Sequence, residues 1–153
     1  MYSRPIVKDD FKVPEELITK NFILKPLTIN YLDSDYEAVM KSENHLYKLM
    51  DDSEWPKKMT LSENLADLGW HEVEFSLRHS FAYTVLSPQN KEEVIGCCYI
   101  YPSDNPDYDI QAYYWIRQDL LSSGLEIELG NTFKTWLEKN WPFKKIEFPR
   151  RDI

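Results

Sequence analysis

The stretch "YYWIRQDLLSSGLEIELGNTFKTWLEK" (residues 113–139) decides how the chain is read. It begins as an aromatic and β-branched run, passes through a short polar segment with one glycine, and continues with Leu125, Leu129, Phe133, Trp136 and Leu137 on one helical stripe. A strand, a turn and a helix over about 123–139 follow. "WPF" then stops the helix, and "KKIEF" (144–148) is a final short strand. Because a hairpin needs no intervening helix, this strand–helix–strand reads as a right-handed crossover between parallel neighbours. The N-terminus of such a helix leaves unpaired N–H groups and partial positive charge, which suits a pyrophosphate. A lone glycine at that point also reads as an ordinary tight turn.

Upstream, "NFILKPLTI" (21–29) alternates as a strand, with Pro26 marking an edge or a bulge. Ser34 and Glu37 have capping-box spacing, so a helix is expected from near Ser34, weakening around "KSEN" (41–44). After the breaker "DDSEWPKK" (51–58), Thr60 and Glu63 repeat that spacing ahead of a helix from Leu61 to about His79. "SFAYTVL" (80–86), "EVIGCCYIYP" (93–102) and "IQAYYWIR" (110–117) read as three successive antiparallel strands. The order is β-α-α-β-β-β-α-β, an α/β chain with a mixed, mostly antiparallel sheet. The first twenty residues, with Pro5 and Pro14, form an irregular arm, and residues 21–153 form one domain.

Composition bounds the function. The 153 residues are 42% hydrophobic and 14% aromatic, enough for a real core and too much for disorder. No segment approaches the length of an apolar membrane span, and the charged opening lacks a signal peptide's apolar run, so a cytoplasmic location is expected. A net charge of −8 disfavours nucleic acid and anionic membrane as partners. The last twenty residues are locally basic, with Lys134, Lys139, Lys144, Lys145, Arg150 and Arg151, and read either as a solvated face or as a local anion site. Cys97 and Cys98 are adjacent in a strand, point to opposite faces and cannot form an ordinary disulfide. No spacing of Cys and His suggests a metal.

This element order, with its turn "LSSGLE" (121–126), resembles the GNAT family of acetyl-CoA-dependent N-acetyltransferases over about residues 21–148. The family motif is Gln/Arg-x-x-Gly-x-Gly/Ala. Gly124 matches its central glycine, while Leu121 and Glu126 replace the other two defining residues. The resemblance implies that Ile116, Gln118, Ser122, Ser123, Gly124 and Leu125 bind the coenzyme, with the Ile116 N–H on the thioester oxygen and the pantetheine arm between the last two parallel strands. A carboxylate at Glu126 repels phosphate if it points inward, but it also suits the helix dipole. The family continues past its fifth strand with a helix that supplies the tyrosine protonating the thiolate. This sequence stops at Ile153, so no residue carries over to that role.

For the base, Leu61, Leu65, Leu68, Glu72, Phe75 and His79 share one stripe of the long helix, so Glu72 and His79 interrupt an apolar face and are the catalytic candidates. Alternatively, Trp70, Val73 and Leu77 mark the buried face and leave Glu72 in water. His71, Glu74 and Arg78 are candidates for a polar substrate wall, with Glu74 and Arg78 also readable as a helix-stabilising ion pair. His45 has no evident partner. Two functions follow: acetyl transfer from acetyl-CoA to a small-molecule amine or peptide acceptor, or a catalytically degenerate GNAT-fold module that binds a ligand or protein. The edge of the final strand would also allow a homodimer.

Overall fold

The structure, a computed structural model, describes residues 2–50 and 54–153. Six strands form one sheet in chain order: β1 (Leu17–Ile18), β2 (Ile23–Pro26), β3 (Phe81–Ser87), β4 (Asn90–Pro102), β5 (Ile110–Ile116) and β6 (Ile146–Glu147). All neighbours are antiparallel except β5 and β6, which are parallel. The crossover joining that pair is α4 (Leu125–Asn140), preceded by a 3-10 turn at Gln118–Ser123. Three helices, α1 (Leu32–Lys41), α2 (Glu43–Leu49) and α3 (Leu61–Leu77), connect β2 to β3. This is the expected α/β order with a two-residue strand added in the arm and the first helix broken at Ser42, inside "KSEN". Residues 51–53 of the expected breaker lie outside the described residues.

The capping signals divide. Thr60 caps α3 reciprocally: its Oγ1 accepts the Glu63 N–H at 3.2 Å, and Glu63 Oε1 accepts the Thr60 N–H at 2.9 Å. Ser34 does not cap α1. A 3-10 turn at Ile29–Tyr31, capped by Thr28, starts the winding earlier, and Ser34 Oγ instead accepts the Val94 N–H at 2.8 Å, tying α1 to β4.

The strand alternation sends Cys98, Ile110, Ala112, Tyr114 and Ile116 to one side, against the α4 stripe Leu129, Phe133, Trp136 and Leu137. Cys97, Tyr99 and Trp115 go to the other, against Val39, Leu46 and Leu68. Both cysteines are free and wholly buried. Each fully buried Leu, Ile or Phe side chain contributes about 1.5–3 kcal/mol, so the two layers fix α4 and α1 on opposite faces.

Neither expected face of α3 is buried as a whole, although Leu68 and Phe75 of the first pack against the core. Leu61, Leu65, Val73 and Leu77 are all exposed, whereas Asn64, Leu68, His71 and Phe75 turn inward. The helix is therefore rotated relative to its apolar count, and two polar side chains face the sheet.

β6 pairs with β5 only at Ile110↔Ile146 and Gln111↔Glu147. From there to Ile116 no strand among the described residues pairs with the outer edge of β5, and the chain opens into a wedge.

Candidate functional site

The wedge is the place where the GNAT resemblance put the coenzyme. In the antiparallel pairing with β4, the Arg117 N–H reaches Ile95 O at 2.8 Å, so the Ile116 N–H points the other way, into the wedge. There it donates to Glu126 Oε2 at 2.9 Å. The same oxygen lies 2.6 Å from His45 Nε2; an ionised carboxylate only accepts, so His45 donates. Glu126 Oε1 accepts from Arg151 Nη1 at 2.8 Å. Arg151 also donates through Nη2 to Tyr114 O, and its guanidinium carbon sits 4.0 Å from the centre of the Tyr114 ring. One step away, Arg150 donates to Lys48 O. Burial pushes the Glu126 carboxyl up, but hydrogen bonds from His45, the Ile116 N–H and Arg151 outweigh it and hold the group below its usual range.

The open question about Glu126 is thus answered: it points inward. Its carboxylate fills the position that the family resemblance gave to a thioester oxygen. His45, expected to have no role, and Arg151, part of the basic run, complete the clasp. A glutamate on α4, a histidine on α2 and an arginine beyond β6 meet only in three dimensions. Of these, Glu126 carried a sequence signal as a broken motif and Arg151 as part of the basic run, while His45 carried none.

The turn before α4 is equally engaged. The Gln118 N–H donates to Ser42 Oγ and Gln118 Oε1 accepts the His45 N–H. The Gly124 N–H donates to Leu121 O, and the Leu125 N–H to Ser123 Oγ, which itself donates to Leu120 O. Ser122 is exposed. Gly124 has φ +80°, the left-handed conformation that joins the 3-10 turn to α4, so a tight turn is sufficient reason for it. The first turn of α4 also carries Glu126 and Glu128, which oppose a pyrophosphate.

The other expected site residues lie along α3 and do not converge on the wedge. Glu72 Oε1 accepts the Ile29 N–H at 3.0 Å. Glu74, wholly buried, accepts the Tyr2 N–H at 3.1 Å and lies 3.4 Å from Ser80 Oγ and from His79 Nδ1. Arg78 makes no ion pair with Glu74 as expected. It sits at φ 63°, where α3 ends, and donates to Lys8 O and Phe11 O. Glu74 and Arg78 fasten the N-terminal arm.

His71 belongs elsewhere. With Asp35 of α1, Asn64 and Asp67 of α3, and Tyr99 and Tyr101 of β4, it lines a cavity of about 200 Å³ on the α1 face of the sheet. Its ring lies 5.5 Å from that of Tyr99 and 6.4 Å from that of Tyr101, and those two tyrosines stack on each other at 5.7 Å. Trp115 Nε1 donates to Tyr99 Oη at 3.1 Å. Burial pushes the His71 imidazole down to about 4, so it is neutral at pH 7. Asp35, 3% exposed, accepts from Asn64 Nδ2 at 2.9 Å. Burial pushes Asp35 up to about 6, against the Asn64 bond and with help from Asp67. The sequence signal for this cavity was the Asn64, Leu68, His71, Phe75 stripe, which competed with a stripe richer in leucine.

Asp35 has a testable cost. Its folded pKa, about 6 against 3.8, is raised, so it costs nothing in strong acid, where both states are protonated. The cost grows as pH rises from about 4 to about 6 and stays in full above that, up to about 3 kcal/mol. Asp35→Asn keeps an acceptor for Asn64 and removes the charge. Thermal melts should show the variant more stable than wild type at pH 8, with the difference vanishing near pH 4.

No family model and no curated protein matches the sequence. Solved structures do match in shape. A Bordetella pertussis protein described as a GnaT-family acetyltransferase aligns with TM-score 0.64 at 14% identity, over 82% of this chain and 74% of that one. The ribosomal-protein-S5-alanine acetyltransferase of Vibrio fischeri aligns with TM-score 0.64 at 13% identity, over 81% and 67%. The microcin C7 self-immunity acetyltransferase, solved with acetyl-CoA and AMP, aligns with TM-score 0.62 at 13% identity, over 84% and 71%. At such identities the likeness is one of fold. By its six-stranded mixed sheet, its β5–α4–β6 crossover and the wedge beside Ile116, the chain has the fold of these GNAT acetyltransferase structures.

Proposed function

We propose that this chain is a GNAT-fold protein that has exchanged coenzyme binding for ligand binding, its coenzyme wedge being occupied by its own side chains. The observation that carries this reading is the Glu126 carboxylate on the Ile116 N–H, locked by His45 and Arg151. A coenzyme entering the wedge must displace a carboxylate accepting three charge-assisted or backbone hydrogen bonds, and must bring its pyrophosphate to a helix terminus bearing Glu126 and Glu128. Both requirements oppose binding. Calorimetric titration with acetyl-CoA, with coenzyme A and ATP as controls, should give no saturable heat for the wild-type chain. Micromolar, acetyl-CoA-selective binding would sink the reading.

The second reading, acetyl transfer to an amine or peptide acceptor, is favoured by fold neighbours solved with acetyl-CoA and with coenzyme A, and by the Ile116 N–H at the splayed end of β5. It requires Glu126 to swing out, and its base would be Glu72, which holds the Ile29 N–H.

A further inference from the structure

We propose that the outer face of α3 pairs with the same face of a second copy of this chain, as two antiparallel helices crossing at Gly69. The surface is separate from the wedge and its clasp, so it stands independently of the reading given above for the coenzyme site.

Leu61, Leu65, Gly69, Val73 and Leu77 recur at every fourth residue and so form one ridge of the helix. The four apolar members each keep between 43% and 47% of their exposure. Ser62, Ala66 and Ser76, which border the ridge, are exposed as well. Ile29, also exposed, lies at the margin, where its N–H donates to Glu72 Oε1. The acidic side chains of α3 are held off the ridge: Glu63 accepts the Thr60 N–H, Glu72 the Ile29 N–H, Asp67 lines the inner cavity and Glu74 is buried. An apolar strip with a polar border marks an interaction surface.

Three features name the occupant. The ridge is symmetrical about Gly69, with Leu65 and Val73 four residues to either side and Leu61 and Leu77 eight residues to either side. A two-fold axis beside Gly69 therefore sets Leu65 against Val73 of the second copy and Leu61 toward its Leu77, apolar against apolar throughout. Gly69 itself has no use within its own chain. Glycine weakens a helix interior relative to alanine, and a Cβ there would meet nothing within 4 Å. At a helix crossing, the missing side chain lets two backbones approach closely. Ridges of this kind cross at about −50°, so the contact is tightest at Gly69 and its nearest neighbours, Leu65 and Val73. Charge points to the same face. At a net charge of −8 two copies repel each other, and the uncharged ridge is where they can touch without desolvating a carboxylate. One helix pair buries less than the roughly 1,200 Å² at the lower edge of standard interfaces, so the association is expected in the micromolar range.

Sedimentation velocity of the intact chain, from sub-micromolar to near-millimolar concentration, tests this. Wild type should show a reversible equilibrium between monomer and dimer. Leu65→Lys and Val73→Glu are surface changes that should leave the melting temperature of the dilute chain unchanged, while each weakens self-association about tenfold or more. Mixed in equal amounts, the two variants should associate with each other more tightly than either does with itself. The introduced lysine then faces the introduced glutamate across the axis, and the remaining Leu65 and Val73 keep their apolar contact. Gly69→Ala should melt at a higher temperature as a dilute monomer yet dimerise more weakly, a combination that a glycine required only by its own fold does not give. Wild type that stays monomeric throughout would overturn the proposal and leave the face to a different protein. A dimer that neither charged substitution weakens, variants that fail to associate on mixing, or Gly69→Ala dimerising as tightly as wild type would overturn it too. Acetyl-CoA binding in the separate titration would overturn the sealed wedge and leave this pairing standing.

Discussion

Glu126→Gln should lower the stability of the folded chain by about 3 kcal/mol at pH 7, read as a shift of the urea midpoint without a change in slope. Glutamine can still accept the Ile116 N–H, but it removes the charge faced by Arg151 and His45. Removing one partner of a buried pair typically costs about 3–5 kcal/mol, because the other charge stays desolvated. The Glu126 and Arg151 side chains retain 11% and 16% of their exposure, which places this pair at the lower end. Arg151→Met in a double-mutant cycle with Glu126→Gln should show a coupling of about 1 kcal/mol or more, since both changes break one contact. The pH dependence has a definite sign. The folded Glu126 carboxyl lies below its usual value of 4.5, so its contribution is complete above that pH and is lost as pH falls through the folded value. The gap between wild type and Glu126→Gln should therefore close in acid. An unchanged midpoint at pH 7 would mean that the clasp contributes nothing.

The larger loss is expected from a methyl group. At Gly96 an added Cβ would stand 2.2 Å from Trp115 O, 3.2 Å from the Trp115 carbonyl carbon and 3.1 Å from Ile116 Cδ1. The first two are backbone atoms of the neighbouring strand, so β4 and β5 must part to admit it. The position is already irregular: the pairing of β3 with β4 jumps from Val85↔Gly96 to Leu86↔Val94, leaving Ile95 as the extra residue of a bulge. Its carbonyl accepts the Arg117 N–H and so aims the Ile116 N–H into the wedge. Gly96→Ala should cost about 4 kcal/mol, at the severe end for a single substitution. It should also disturb the Ile116–Glu126 contact. Gly69→Ala is the matched control, because a Cβ there meets nothing within 4 Å and a helix interior gains about 1 kcal/mol from the exchange. Equal midpoints for the two variants would contradict the packing described for β4 and β5.

Much of the fold was legible because it rests on local periodicity. The alternation in 110–117, the α4 stripe ending at "WPF", and the Thr60–Glu63 cap each left a pattern that one stretch of sequence displays by itself. The face of α3 was half legible: Leu68 and Phe75 of the expected stripe do turn inward, but its Leu61 and Leu65 are exposed, as are Val73 and Leu77 of the alternative, while Asn64 and His71 line a polar cavity. Ser34 had the spacing of a cap but serves β4, a partner sixty residues away. The site divided in the same way. The departure at Glu126 was visible as a broken motif, but its meaning depends on His45 and Arg151, 81 and 25 residues distant, which no local pattern connects to it. Glu74 and Arg78 looked like an i, i+4 ion pair and are instead anchors for the N-terminal arm, because each finds backbone groups of residues 2–11 closer than the other.

The central claim is that the Ile116 N–H already has its anion. The most direct measurement follows the Ile116 amide by NMR through a titration with millimolar acetyl-CoA, in wild type and in Glu126→Gln. The account predicts a wild-type signal that stays in place with coenzyme and moves only when acid protonates Glu126. In the variant, the signal should shift when the clasp is removed, before any coenzyme is added. A saturable displacement of the wild-type Ile116 signal by acetyl-CoA would show the wedge open to coenzyme and would return the chain to the working acetyltransferases.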